Sequence, residues 1–313
     1  MSDPTDAALV LWGMTDASCH FVAGRENRVY QVSTGGQSFA LRFKRRGYHG
    51  HDELVSELQW LAEMDRAGLN VPKPVPSQRG VLLEEINGQY VDLVTWLDGR
   101  PIGQTREPLE LDNPIATFTD IGAEMARFHT ACDDWDQPKG FTRCQWDTDG
   151  LLGEAPRWGR FWENPTLDAP TRDLLQDFRA VARRDLDALD LDSGLIHADF
   201  VRENVLLDGS SLRIIDFDDG GFGYRLFDVA TALLKNRDEP TYPALREGLT
   251  KGYLGGRHLD MEPLDLLIAL RAVTYVGWIV PRMEEPGSAT RNTRFIKDAQ
   301  DLCWAYLQRS KVG

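Results

Sequence analysis

Cysteine is scarce in this chain, and the four present, Cys19, Cys132, Cys144 and Cys303, form no Cys-x-x-Cys pair and no metal-ligand spacing. That pattern excludes a zinc ribbon and leaves scattered reduced thiols, as in a cytosolic protein. Positive charge is in deficit: 35 Lys and Arg stand against 49 Asp and Glu, for a net charge of −14. That balance argues against a nucleic-acid partner, whose phosphates need a basic face, so none is expected. Acidic character of this kind is merely compatible with cationic or zwitterionic substrates. Long hydrophobic runs are missing as well. The most apolar stretch, Leu264 to Val280, contains Asp265 and Arg271 and is short for a membrane span, so it reads as a buried helix. The start MSDPTDAALV has no basic segment followed by an apolar core, so no signal peptide, no membrane partner and a cytoplasmic location are expected. There is no internal repeat and no low-complexity tract, and oligomeric state leaves no trace in the sequence.

What the chain does have is 313 residues with 42% apolar content, enough for two domains or one large two-lobed one. Residues 1–97 read as β-rich with one helix, and residues 98–313 as mostly helical. Phe21 to Val32 reads as a hairpin turning at Gly24-Arg25-Glu26-Asn27. In Ser38 to Phe43, Phe39, Leu41 and Phe43 alternate with Ala40 and Arg42, which places the latter two on one strand face. Asp52 to Gly68 has a helical stripe of Leu54, Leu58 and Leu61, and Glu57 lies on the same side. A carboxylate in an apolar stripe wants a cation, and Arg42 is the candidate. Two further strands, Val81 to Ile86 and Tyr90 to Leu97, flank an Asn87-Gly88 turn. Helices are expected at Asp120 to Thr130, Leu167 to Leu189, Asp228 to Leu234, Tyr242 to Tyr253, Pro263 to Val280 and Asn292 to Gln308, with an insertion containing a short helix at Trp135 to Pro165.

The segment LIHADFVRENVLLDGSSLRIIDFDD, Leu195 to Asp219, carries the chemistry. Two β-prone runs, Val205-Leu206-Leu207 and Leu212-Arg213-Ile214-Ile215, are joined by the turn signal Asp208-Gly209-Ser210-Ser211. If Leu207 pairs with Leu212, Asn204 falls opposite Ile215 and beside Asp216, with side chains roughly 5–8 Å apart. An amide and a carboxylate oxygen at that separation suit Mg2+, which leaves its other positions to water and phosphate. Asp199, in the loop feeding the hairpin, is placed to meet an incoming hydroxyl.

Here the chain resembles the protein-kinase-like superfamily and, within it, the aminoglycoside phosphotransferase and type II homoserine kinase-like family. His197-Ala198-Asp199, four residues, Asn204 and then Asp216-Phe217-Asp218 match the catalytic loop and the Asp-Phe-Gly of kinases. Ala198 and Asp218 fit the phosphotransferase branch. The resemblance implies an α+β, two-lobed kinase-like fold, with a nucleotide-binding lobe at 1–97 and a catalytic and acceptor-binding lobe at 98–313. It implies ATP and Mg2+ as cofactors, Asp199 as the group that orients the acceptor and takes its proton, and Asn204 and Asp216 as metal ligands. Phe39-Ala40-Leu41-Arg42 resembles the third-strand Val-Ala-Ile-Lys, with Arg42 in place of the phosphate-binding Lys and Glu57 as its helix partner. Thr95 and Leu97 fall where backbone groups would bind adenine, and no Gly-x-Gly-x-x-Gly is present.

Two absences bear on the acceptor. Val201 stands where protein kinases usually carry Lys, and only Phe217 to Phe227 separates Asp216 from Asp228, too short for an activation segment. Both favour a small-molecule hydroxyl substrate, an amino alcohol such as homoserine first. A bacterial stress-type Ser/Thr protein kinase is the alternative, and a nucleotide-binding pseudokinase scaffold the second. Asp218 is a candidate for a substrate amine or a second metal. Arg271, a cation in an apolar helix, is a candidate for a substrate carboxylate or phosphate, with an internal acid as its competing partner. His197 reads as a loop organiser, and Asp228 as a buried loop anchor or helix cap.

Overall fold

In the computed structural model, which describes residues 4–24, 26–105 and 107–309, the alternation of the third strand sets the architecture of the first compact unit. This unit comprises Met1–Ile102, Asp134–Arg143 and Asn204–Asp218. A short helix α1 (Pro4–Leu11) precedes β1 (Ser18–Ala23), β2 (Arg28–Thr34) and β3 (Gln37–Phe43). Helix α2 (His51–Arg66) is followed by β4 (Leu83–Ile86) and β5 (Gln89–Thr95). The five strands form an antiparallel sheet in the order β1-β2-β3-β5-β4. Phe39, Leu41 and Phe43 join Val32, Val91 and Leu93 under Ala8, Leu9 and Trp12 of α1 and its exit, forming one apolar core. Arg25 of the expected first turn lies outside the described residues. At the β4–β5 turn, Asn87 and Gly88 take φ of 52° and 72°, the left-handed pair that a tight two-residue hairpin requires.

A small second sheet in this unit joins β6 (Arg100–Pro101), β9 (Val205–Asp208) and β10 (Ser211–Ile214). The β9–β10 ribbon is tied back by Asn70, which donates to Leu212 O at 3.1 Å and accepts from Ile214 N at 3.0 Å. These bonds, far apart in sequence, make residues 204–218 part of the first unit.

The second unit comprises Gly103–Asp133, Cys144–Glu203 and Asp219–Gly313. Its helices are α3 (Pro114–Asp133), α4 (Thr148–Leu152), α5 (Ala169–Ala188), α6 (Arg225–Leu234), α7 (Tyr242–Gly256), α8 (Leu264–Trp278) and α9 (Ser288–Arg309). Its sheet has the order β7-β11-β8, from Cys144–Trp146, Gly221–Tyr224 and Ser193–Ile196. The expected helices are all present, several of them longer than their apolar stripes. The insertion at Trp135 to Pro165 contributes β7 and α4, with Trp146 fully buried. Helices α3 and α7 cross at Gly122 and Gly252, where an added Cβ would collide with backbone of Leu249 or Thr119. No helix among the described residues is long and apolar enough to cross a membrane.

Candidate active site

In the second unit the Asp199 loop is built by main-chain hydrogen bonds to one buried acid. Asp228, in the first turn of α6 and 0% exposed, accepts from His197 N at 2.8 Å and from Ala198 N at 2.7 Å. His129 Nε2 lies 3.0 Å from the same carboxylate, and its Nδ1 2.7 Å from the Tyr253 hydroxyl. Burial raises the Asp228 carboxyl above its ordinary range against the pull of His197 and the two amides. Burial likewise drives the His129 imidazole well below the usual histidine range, so the ring is neutral. Asp228 is therefore a loop anchor, as the sequence indicates. His197 Nδ1 accepts from Asp199 N at 3.2 Å, the organising role expected of it. Ala198, between them, has φ of 63°, a left-handed conformation held by the bonded amides on both sides.

So positioned, Asp199 presents a side chain 24% exposed. Its Oδ1 accepts from Arg271 Nη2 at 2.8 Å, and the same nitrogen lies 2.8 Å from the Tyr275 hydroxyl. Arg271, on α8, is fully buried and stacked 4.5 Å from the Trp158 ring centre and 4.4 Å from that of Tyr275. The internal acid that competes with a substrate anion for Arg271 is thus Asp199 itself. Arg271 Nε and Nη1 find no acceptor among the described residues.

In the first unit the ribbon has the expected register. Leu207 pairs with Leu212 and Val205 with Ile214, and Ile215 N donates to Asn204 O at 3.0 Å. Asn204, 7% exposed, therefore sits beside Ile215 at the open end of the ribbon, and Asp216 is the next residue along. Asp216 is exposed and has φ of 68°, a conformation that costs an L-residue roughly 1–2 kcal/mol and concentrates at functional sites. No group of three or more His, Cys, Asp or Glu among the described residues forms a metal cage. One amide and one carboxylate oxygen are instead the sparse protein share that Mg2+ takes when phosphate and water complete its shell. The donors present fit that ion.

The polar face of β3 feeds a buried ion cluster in the same unit. Arg42 Nε lies 2.6 Å from Asp92 and Nη1 2.9 Å from Glu57, so the expected partner is found. Two further members lie beyond the reach of the sequence reading. Lys44 Nζ grips both oxygens of Glu57 at 3.1 and 2.9 Å, and Asp92 sits opposite Arg42 in the β3–β5 register. Extending the alternation Ala40, Arg42 by one step gives Lys44, and Asp92 is the one acid in an otherwise apolar run. Burial would raise Glu57, but Lys44 and Arg42 outweigh it and hold the carboxyl down to about 2. Burial opposes the charge on Arg42 and on Lys44, yet their acidic neighbours raise both above the ordinary range. Arg42 Nη2 has no partner among the described residues, a free donor on the cation that the resemblance assigns to nucleotide phosphates.

Asp218 also belongs to this cluster. At 5% exposed, it accepts from Asn27 Nδ2 at 3.1 Å and lies 3.5 Å from Lys44 and 3.6 Å from His49. Burial raises its carboxyl, but His49, Lys44 and Asn27 pull it far below the carboxylate range. Arg143 donates to the carbonyls of Phe217 and Asp218 at 2.9 and 2.7 Å, fixing that turn. The charge read from sequence as available to a substrate amine is turned inward and balanced. Ala40 is buried on the Arg42 side of β3. Thr95 already gives its N–H to Lys73 O at 2.8 Å, and its hydroxyl accepts from Lys73 N at 2.9 Å. Of the two expected adenine contacts, Leu97, just beyond β5, keeps backbone groups outside the sheet ladder.

The chain as a whole is similar to known proteins. A homoserine kinase of Methylobacillus glycogenes is 30% identical over 214 residues, 67% of this chain and 61% of that protein. This chain spans about 60% of the length of the first two homoserine kinases it matches. The structure of a microcompartment-associated aminopropanol kinase superposes with a TM-score of 0.85 at 28% identity, covering 98% of both chains. An amicoumacin kinase in complex with AMP-PNP, Ca2+ and Ami shares the fold at a TM-score of 0.76 and 20% identity, covering 95% of this chain and 92% of that one. The family model described as the phosphotransferase enzyme family matches residues 19–267, a stretch that takes in the β3 cluster, the Asp199 loop and the β9–β10 ribbon, and the chain belongs to that family.

Proposed function

We propose that this protein is a kinase that moves the γ-phosphoryl group of ATP to a hydroxyl of a small molecule, an amino alcohol such as homoserine being the first candidate. Asn204 and Asp216 would hold Mg2+, which would supply neutralisation of the nucleotide's phosphate charge. Arg42, anchored by Glu57 and Asp92, offers Nη2 to phosphate. Asp199 orients the acceptor hydroxyl and takes its proton as the new O–P bond forms and the bond from the β,γ-bridging oxygen to the γ-phosphorus breaks, with ADP leaving. The observation that carries this reading is the state of Asp199. Its carboxylate is partly exposed, while the loop behind it is fixed by buried bonds to Asp228. Such fixing supports a rate gain through positioning, the main resource in phosphoryl transfer.

A small acceptor is favoured over a protein one by the short path of the chain beyond Asp216. It enters β11 at Gly221 and α6 at Arg225, leaving no length for an activation segment. The test is ATP consumption measured across hydroxyl metabolites, with Asp199→Asn alongside. The substitution should lower kcat on the order of 10³-fold while nucleotide binding persists. Normal turnover by that variant removes Asp199 from the mechanism.

A further inference from the structure

Around Asp199 the second unit gathers two cations, Lys235 and Arg271, whose donors are not all matched by acceptors. Lys235, just past the end of α6, places Nζ 3.7 Å from the Tyr275 ring centre and 5.4 Å from that of Phe295. Arg271 Cζ stands 4.4 Å from the same Tyr275 ring, so the two cations lie within about 8 Å of one another. Tyr275 and Phe295 stack at 5.0 Å, forming an aromatic wall for the ammonium. An aromatic face balances charge but accepts no strong hydrogen bond. Lys235 has no hydrogen bond or ion pair among the described residues, and Arg271 Nε and Nη1 are buried without acceptors. Burial, and after it Arg271 and Arg294, pulls the Lys235 amine down to about 7 against the opposing charges of Asp199 and Glu203. Buried guanidinium donors without acceptors, beside an ammonium held only on ring faces, call for an anion.

We propose that Lys235, with the buried charge of Arg271 behind it, receives an anionic group of the acceptor, so that the substrate is a hydroxy acid bearing a carboxylate and not a carboxylate-free amino alcohol. This rests on the kinase reading and narrows it: homoserine retains such a group, whereas aminopropanol, ethanolamine and choline do not. Arg271 acts as a positioning residue, because its Nη2 holds Asp199, and Lys235, partly exposed, makes the contact.

The test compares hydroxy acids (homoserine, threonine, 4-hydroxybutyrate) with homoserine amide, 3-aminopropanol, ethanolamine and choline. Glycerol 3-phosphate separates phosphate from carboxylate recognition. Turnover and calorimetric binding are measured for the intact protein, Lys235→Met and Lys235→Arg. The expected result is preference for a carboxylate-bearing acceptor, a rise in its KM on the order of 10- to 100-fold in Lys235→Met with kcat largely kept, and recovery in Lys235→Arg. Preference for carboxylate-free or phosphate-bearing alcohols overturns the proposal. So does an equal fall in kcat for all acceptors, which would place these cations on the transferred phosphoryl group. Lys235-dependent binding of a hydroxy acid without any ATP consumption sustains the anion site and sinks the kinase reading instead. Absence of binding by every hydroxy acid sinks the anion site.

Discussion

Around Glu57 in the first unit, Arg42, Lys44 and Arg143 face Glu57, Asp92 and Asp218 at ion-pair distances, three cations against three acids. Around Tyr275 in the second unit, Arg271 and Lys235 lie on ring faces, and Asp199 is the acid bonded to Arg271. The first arrangement matches its cations with acids and leaves on them a single unbonded donor, Arg42 Nη2, whereas the second keeps several donors in reserve. A closed ionic cluster sets geometry, and an open one is poised for a reactant. Removing charge should therefore unfold the first region and disarm the second.

Glu57→Gln should have the largest effect, since it leaves two buried cations without their shared partner, at a cost of about 3–5 kcal/mol in a urea titration. Acid should act on the same bond. A carboxyl held at about 2 in the fold stabilises fully above its ordinary range near 4.5, and that contribution is lost as pH falls through about 2. The intact protein should lose stability across that window more steeply than Glu57→Gln. Next comes Arg42→Lys. One ammonium cannot span Asp92 and Glu57 and still offer a donor to phosphate, so KM for nucleotide should rise about tenfold, near 1.4 kcal/mol. Arg271→Met would sharpen the contrast: it removes two unpaired donors from an apolar site, so stability should shift by no more than about 1 kcal/mol, or rise, while turnover falls. Unchanged turnover would take Arg271 out of the positioning of Asp199.

The smallest effect is the pH response of acceptor binding. Lys235 is faced by Arg271 of α8, Arg294 and Asp298 of α9, and Asp199 and Glu203 of the Asp199 loop and the turn after it. Its amine, depressed to about 7, loses charge as pH rises past that value. KM for a hydroxy acid should rise a few-fold between pH 6 and pH 8, and Lys235→Arg should flatten the profile.

Local rules carried much of this from sequence. The period of two in β3 and the turn signal between β9 and β10 specified which side chains share a face and which residues pair. Glu57 was legible because a charge in an apolar stripe demands a partner. Lys44 was not, since it lies one residue beyond the strand run, and Asp92 was hidden by its apolar neighbours. The partner of Arg271 lies 72 residues away in the chain, and no periodicity links α8 to the Asp199 loop. The attachment of Asp134–Arg143 and Asn204–Asp218 to the first unit rests on bonds such as those of Asn70 and Arg143, which join distant segments. Those links are tertiary and leave no local mark.

Because Asp228 grips main-chain amides, the path of the Asp199 loop is set by that one buried acid, and of the outer helices only α8, through Arg271, is bonded to the Asp199 carboxylate in the hydrogen bonds described above. On the proposed function, one alcohol is traded for another by editing α9 and the residue after α6, with Arg271 kept on α8 so that Asp199 stays where it is. Diversification becomes a matter of changing the upholstery while the frame stays bolted to its post.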